Sequence, residues 1–131
     1  MNTLVKPKVF DLEKRTFLFA KNARIFVARM PKSVTNDEDC QQLVRSSGSI
    51  GSNVIEANES ASKKDYALRM KLSRKECKES QYRLSLMYAS KNSELEKARK
   101  DLIQESGELT KIFSSIFQKS SGIGKSASSQ K

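Results

Sequence analysis

Five cations, Lys64, Lys71, Arg74, Lys75 and Lys78, follow one another at intervals of seven, three, one and three residues. Residues three, four or seven apart share a helix face, so on a helix these cations line one side. Such a row can track a phosphate backbone, where counterion release makes contact strong, sequence-independent and salt-sensitive. The plain alternative for any Lys/Arg row is a solvated helix face. Aromatic side chains suited to base stacking are scarce on this arc. Contact with RNA is therefore expected to depend on backbone and shape more than on sequence.

Other chemistry is thinly represented. The chain has no histidine, which removes the commonest general base, metal ligand and pH switch together. An enzyme would have to rely on Lys, Tyr or carboxylates, and no such constellation stands out. The expectation is a non-catalytic protein with no catalytic residue, metal or cofactor. Cys40 and Cys77 are far apart and in no metal-ligand spacing. Each falls on an apolar face of a predicted helix, which favours buried thiols. Glu56 and Glu59 lie near Asn53, and Arg45 stands on the same small, apolar helix. Four-helix bundles can turn carboxylates inward to hold metals. The usual di-iron motif also needs histidine, so polar contacts or salt bridges to the third helix are expected instead. The segment Ser46-Ser47-Gly48-Ser49-Ile50-Gly51-Ser52 lacks the Gly-Lys-Ser/Thr ending of a phosphate-binding P-loop. The apolar period continues across it, so it is predicted helical. There, small residues let another backbone approach, at about 1 kcal/mol per mid-helix Gly relative to Ala.

Positioning these residues requires long helices. The 131 residues suit one domain, and two prolines and five glycines serve as punctuation. Asp11 is the expected N-cap of a first helix whose apolar stripe runs through Leu12, Thr16, Phe19, Ala20, Ala23, Phe26, Val27 and Met30, with Pro31 beyond it. A second helix is expected from Asn36, its inward stripe passing from Cys40 through Leu43, Val44, Ser47, Ile50, Gly51, Val54 and Ala57 to Ala61. The third begins near Ser62, where Ser62 and Asp65 approximate a capping box, and runs to about Ser90. Asn92-Ser93 opens a fourth, with Leu95, Ala98, Leu102, Leu109, Ile112, Phe113 and Ile116 inward. Short links between long amphipathic helices predict an all-α, antiparallel up-and-down four-helix bundle over residues 11–118. Residues 1–10 form an N-terminal extension, and the Ser/Gly-rich residues 119–131 are expected to be a disordered tail. No stretch approaches the roughly 18 apolar residues of a membrane span. The N-terminus also lacks the apolar run of a secretory signal. A cytoplasmic location without membrane association is expected.

The net charge of +10 points to an anionic partner, with a merely basic soluble protein as the bland reading. Its distribution is uneven. Residues 1–35 hold eight Lys/Arg against two Asp/Glu, and residues 62–91 hold nine against three. The second helix region is acidic, with one against five over residues 36–61. The third helix also has apolar residues on two sides. Tyr66, Met70, Ser73, Cys77, Leu84 and Tyr88 project in one direction, and Leu68, Leu72 and Leu86 roughly opposite. Leu18 and Ile25 lie on the reverse of the first helix. A monomeric bundle needs one apolar stripe per helix. The second set therefore points to self-association, although isolated exposed apolar residues are ordinary.

Several runs carry a family resemblance: Phe10-Asp11-Leu12, Pro31, Leu43-Val44-Arg45-Ser46, Ser49-Ile50-Gly51-Ser52-Asn53 and Glu56-Ala57-Asn58-Glu59. They continue in Lys63-Lys64-Asp65-Tyr66 and Lys75-Glu76-Cys77-Lys78-Glu79-Ser80-Gln81-Tyr82-Arg83-Leu84. Over about residues 9–117 the chain resembles the bacterial four-helix-bundle proteins encoded in intervening sequences of 23S ribosomal RNA genes. That resemblance implies an up-and-down bundle, a homopentamer and a ribosomal-RNA connection. A related branch, the accessory proteins of diversity-generating retroelements, are basic pentameric barrels that serve a reverse transcriptase and nucleic acid. The chain departs from the commoner pattern at Val54-Ile55, where an aromatic-basic pair is frequent, and at Arg83, where tryptophan is frequent. The combined expectation is an oligomeric protein that contacts structured RNA or other nucleic acid. The alternative is a protein-interaction scaffold or accessory subunit of a nucleic-acid enzyme, with Leu68, Leu72 and Leu86 meeting that partner.

Overall fold

Ser33, Ser62 and Asn92 set where three of the helices begin. Each offers a side-chain oxygen to an amide that the first helical turn leaves without a partner. Asn36 N donates to Ser33 Oγ at 3.0 Å, Asp65 N to Ser62 Oγ at 3.1 Å and Leu95 N to Asn92 Oδ1 at 2.9 Å. The computed structural model describes residues 11–121. They form α1 (Leu12–Arg29), α2 (Val34–Asn58), α3 (Lys63–Leu86) and α4 (Ser93–Ser121), with no strand among the described residues. The all-α expectation therefore holds. Extension residues 1–10 and residues 122–131 of the expected tail lie outside the described residues, whereas Lys119, Ser120 and Ser121 belong to α4.

Partners across each helix pair run in opposite directions. Along α2, Asp39, Arg45, Ile50 and Asn53 meet Arg83, Glu76, Ser73 and Arg69 of α3 in turn. Arg15 and Arg29 of α1 pair with Glu105 and Glu94 of α4. Contacts join α1 to α2, α2 to α3, α3 to α4 and, over the shortest stretch, α4 back to α1, while neither diagonal pair approaches closely. This is the antiparallel, up-and-down order. The apolar stripes close on one core, in which Phe19, Leu43, Ile50, Met70, Cys77, Leu84, Leu109 and Phe113 are fully buried.

Small residues set how closely the helices pack. Ser46 and Ser80 share a 2.7 Å hydrogen bond between α2 and α3, and Ser73 Oγ donates to the Ile50 carbonyl at 3.0 Å. All three serines are fully buried, and among the described residues no buried side-chain polar atom lacks a partner. Gly51 stands against α1, where a Cβ would lie 3.1 Å from Thr16 Oγ1. The expected close approach at the glycine-containing segment is thus the α1–α2 contact.

Several boundaries differ from the sequence expectation. Asp11 occupies the N-cap position of α1 without a side-chain cap bond, its backbone at φ −99° and ψ 52° lying outside the extended region usual for a cap. α2 starts at Val34, not Asn36, and ends at Asn58, which leaves Ala61 exposed beyond it. Asn36 has a tertiary role instead. Its Nδ2 donates to the carbonyls of Pro31 and Tyr88 at 3.2 and 3.0 Å, and its Oδ1 accepts from Tyr88 N at 3.2 Å. This ties the α3–α4 link to the start of α2, and α3 accordingly stops at Leu86. Met87 and Ala89 turn into the core while Tyr88, expected on the inward stripe, is 67% exposed.

Replacing Asn36 with Ala removes three hydrogen bonds at a buried position. We expect Asn36→Ala to lower unfolding stability by about 2–3 kcal/mol in a urea titration. The exposed Thr35→Ala should change it by less than about 0.5 kcal/mol. Equal effects of the two would remove Asn36 as the tie between the links.

Candidate nucleic-acid interface

The rotation of α3 about its axis decides which of its side chains face solvent. Met70, Ser73, Cys77, Ser80 and Leu84 are buried, so the opposite side is turned outward. Along the α2 flank the arginines are engaged. Arg69 donates to Asn53 Oδ1 at 3.0 Å, and Arg83 pairs with Glu79 at 2.9 Å and Asp39 at 3.1 Å. Those bonds, to Glu79 first and Asp39 second, raise the Arg83 guanidinium above its ordinary range. Glu79 and Arg83 thus form an i,i+4 pair within α3, whereas Arg69 reaches across to Asn53 of α2. Arg45 reaches Glu76 at 3.5 Å, so Arg45 and Asn53 of α2 make the expected polar contacts with α3. Glu56 and Glu59 are exposed.

The free cations lie on the α4 flank. None of Lys64, Lys71, Arg74, Lys75 and Lys78 is ion-paired with a described residue. Lys71, Arg74, Lys75 and Lys78 come together with Leu72, Glu79 and Tyr82 around a shallow groove of about 410 Å³. Arg74 and Lys71 lie over the ring of Phe117 from α4, at 5.1 and 6.0 Å from its centroid. Their aliphatic stems can cover the half-buried ring while the charges stay in water. Lys64 is exposed two turns nearer the N-terminus of α3, outside the groove. The one acid in the groove, Glu79, is held by Arg83.

The apolar residues expected at an interface are placed differently from one another. Leu68 and Leu86 are 51% and 52% exposed on the outer face of α3, while Leu72 is half-buried and lines the basic groove. Leu18 and Ile25 are 38% and 58% exposed on α1, which does not touch α3. Phe17, also on α1, is 60% exposed.

Two features escape the sequence reading. Tyr82 continues the cation row four residues beyond Lys78, a spacing legible in principle. Arg15 is 7% exposed and clamps α1 to α4 through Glu105 at 2.7 and 2.9 Å and Glu108 at 2.8 Å. A lone arginine beside an apolar stripe carries no signal that would identify this role.

Against this geometry, the family model described as 23S rRNA-intervening sequence protein matches residues 10–115. The chain belongs to that family. The fold is similar to a crystal structure of a protein of unknown function from the S23 ribosomal protein family of Bacteroides thetaiotaomicron. The TM-score is 0.67 at 23% identity, covering 81% of this chain and 97% of that one. No curated protein matches the chain.

No cluster of three or more Cys, Asp or Glu that could hold a metal ion occurs among the described residues. No helix there is long and apolar enough to cross a membrane. Cys40 and Cys77 are free, buried thiols, as the helix pattern predicts. Burial pushes both thiols above the ordinary cysteine range, Cys77 furthest, since it is fully enclosed by the core. In the unfolded chain Cys77 ionises near its ordinary pKa, about 8.5, while in the fold it stays protonated. Its contribution to stability is complete below that pH and declines as pH rises above it. We expect an aromatic disulfide reagent at pH 8 to leave Cys77 unmodified in native protein and to modify it on addition of urea. A Cys77→Ser variant should lose part of the alkaline decline in stability. Rapid native modification of Cys77 would contradict the enclosed thiol.

Proposed function

We propose that this protein is a non-catalytic, self-associating, basic four-helix bundle that contacts structured RNA, with ribosomal RNA the first candidate. The carrying observation is the groove of Lys71, Arg74, Lys75 and Lys78, whose charges are not paired with described acids. Lys64 extends the row. Cations held on a rigid helix can meet phosphates at little cost in order, and the binding they give is salt-dependent and indifferent to sequence. The family's name adds a ribosomal-RNA connection. The +10 net charge acts at longer range by steering an anionic partner toward the groove.

Self-association is proposed on the exposed Leu68 and Leu86 of α3 and Leu18 and Ile25 of α1. Two separate patches, on helices diagonal to each other in the bundle, suit a head-to-tail contact, which closes into a ring such as the homopentamer implied by resemblance. Those same residues support a second reading, in which the bundle is a scaffold or accessory subunit of a nucleic-acid enzyme such as a reverse transcriptase. Leu68, Leu72 and Leu86 would then meet that enzyme. A cytoplasmic location accords with either reading.

The test is titration of purified protein against 23S ribosomal RNA fragments over a salt series, with a DNA duplex of equal length as control. We expect tighter binding to RNA. We also expect a Lys71→Glu/Lys75→Glu variant to bind more weakly, its log-log salt slope shallower by about 0.7–0.9 for each phosphate no longer neutralised. A variant matching the parent would exclude the groove. No binding at low salt would exclude RNA and turn attention to protein partners. Light scattering of the parent gives the assembly mass. A monomer at all concentrations would set aside the ring and favour the scaffold reading.

A further inference from the structure

Tyr82 stands where a nucleic-acid groove would need an aromatic ring. It follows Lys78 by four residues, Lys75 by seven and Lys71 by eleven, so it continues the outward row of α3. It lines the same groove as those lysines, and it is 58% exposed. The Arg83 guanidinium lies 5.9 Å from its ring centroid. Arg83 is itself held by Glu79 at 2.9 Å and Asp39 at 3.1 Å, so the cation beside the ring is fixed to the bundle. A tyrosine backed by an immobilised guanidinium and open to solvent is a preformed platform.

The other tyrosines lack this setting. Tyr66 is half-buried against the core, and Tyr88 lies in the α3–α4 link, outside the groove. Phe117 is half-buried beneath Lys71 and Arg74. Tyr82 is thus the one aromatic ring lining the basic groove among the described residues.

We propose that Tyr82 stacks an unpaired base, so that the α3 groove takes a single-stranded segment in preference to a continuous duplex. The proposal rests on the nucleic-acid reading of the same groove and adds the class of ligand. In a duplex the base faces are stacked on one another and give the ring nothing to cover; an unpaired base offers its face whatever its identity. Helix rise puts Lys78 and Lys75 about 6 and 10 Å along α3 from Tyr82. Both lie on the N-terminal side of the ring, so their long side chains can reach successive phosphates to that side of a base seated on it. Glu79, neutralised by Arg83, does not repel them.

The test compares a fluorescein-labelled oligouridylate with a blunt RNA duplex of equal length, by anisotropy. The proteins are the parent, Tyr82→Ala, Tyr82→Phe and Lys71→Glu/Lys75→Glu. We expect the parent to prefer the single strand. Tyr82→Ala should lose at least about fivefold on the single strand, the lower end of one base–aromatic stack, and leave duplex binding unchanged. Tyr82→Phe keeps the ring and should bind like the parent. A 2-aminopurine in the single strand should be quenched by the parent and by Tyr82→Phe, but not by Tyr82→Ala. Tyr82→Ala binding the single strand as tightly as the parent, while the double lysine variant binds weakly, overturns the stacking role and leaves the basic groove standing. Equal losses of Tyr82→Ala on both probes also overturn it. Failure of the parent to bind either probe overturns both readings.

Discussion

The contact between α2 and α3 is the constraint from which the outer surface follows. Ser46 bonded to Ser80, and Ser73 bonded to the Ile50 carbonyl, put hydroxyls where larger side chains would hold two helices apart. Their polar atoms are buried and satisfied, so the seam tolerates little rotation or sliding without leaving a hydroxyl unpaired. With the angle of α3 settled, Cys77 points into the core and Lys71, Lys75 and Lys78 point outward. Bulkier residues at Ser46 or Ser80 would disturb the groove without touching it.

Arginine and lysine divide the work. Arg15, Arg29, Arg45, Arg83 and Arg99 make nearly all the ion pairs among the described residues, and the one lysine pair, Lys97–Asp101, lies on the surface of α4. A planar guanidinium can bind two acceptors at once, as Arg15 does with Glu105 and Glu108, or close a helix end, as Arg99 does on the Leu84 carbonyl at 2.8 Å. Acids consumed this way no longer offset the lysines, so the uncompensated positive charge collects on lysine-bearing surfaces such as the outer side of α3. The groove is basic because its one acid, Glu79, is held by Arg83 and its lysines face no other acid among its lining residues.

The outer side of α3 also carries apolar residues, and the two kinds meet there. Leu72 lines the groove beside Lys71 and Lys75, while Leu68 and Leu86 stand exposed near its ends. A partner that covers the leucines would lie close to the lysines, so assembly and nucleic-acid contact are neighbours on one helix. Leu18 and Ile25 stand on α1, which α3 does not touch within one bundle.

The helices were legible because an amphipathic period depends only on neighbours within one helix. Their N-termini at Ser62 and Asn92 were legible for the same reason, since a cap bonds within one turn. The cation row was legible too, and so was the inward placement of both thiols. Asn36 and Tyr88 were misplaced because their surroundings come from residues more than fifty positions apart, which no local period records. Arg15 went unrecognised for that reason, its partners lying on α4. Tyr82 sat on a readable spacing, but its worth depends on the groove it lines and on Arg83, which Asp39 of α2 helps to hold. Local spacing determined the helices and the face on which each cation stands. Packing alone decided which cations are spent within the bundle and which remain for a partner, because pairing requires acids that only the folded chain brings near.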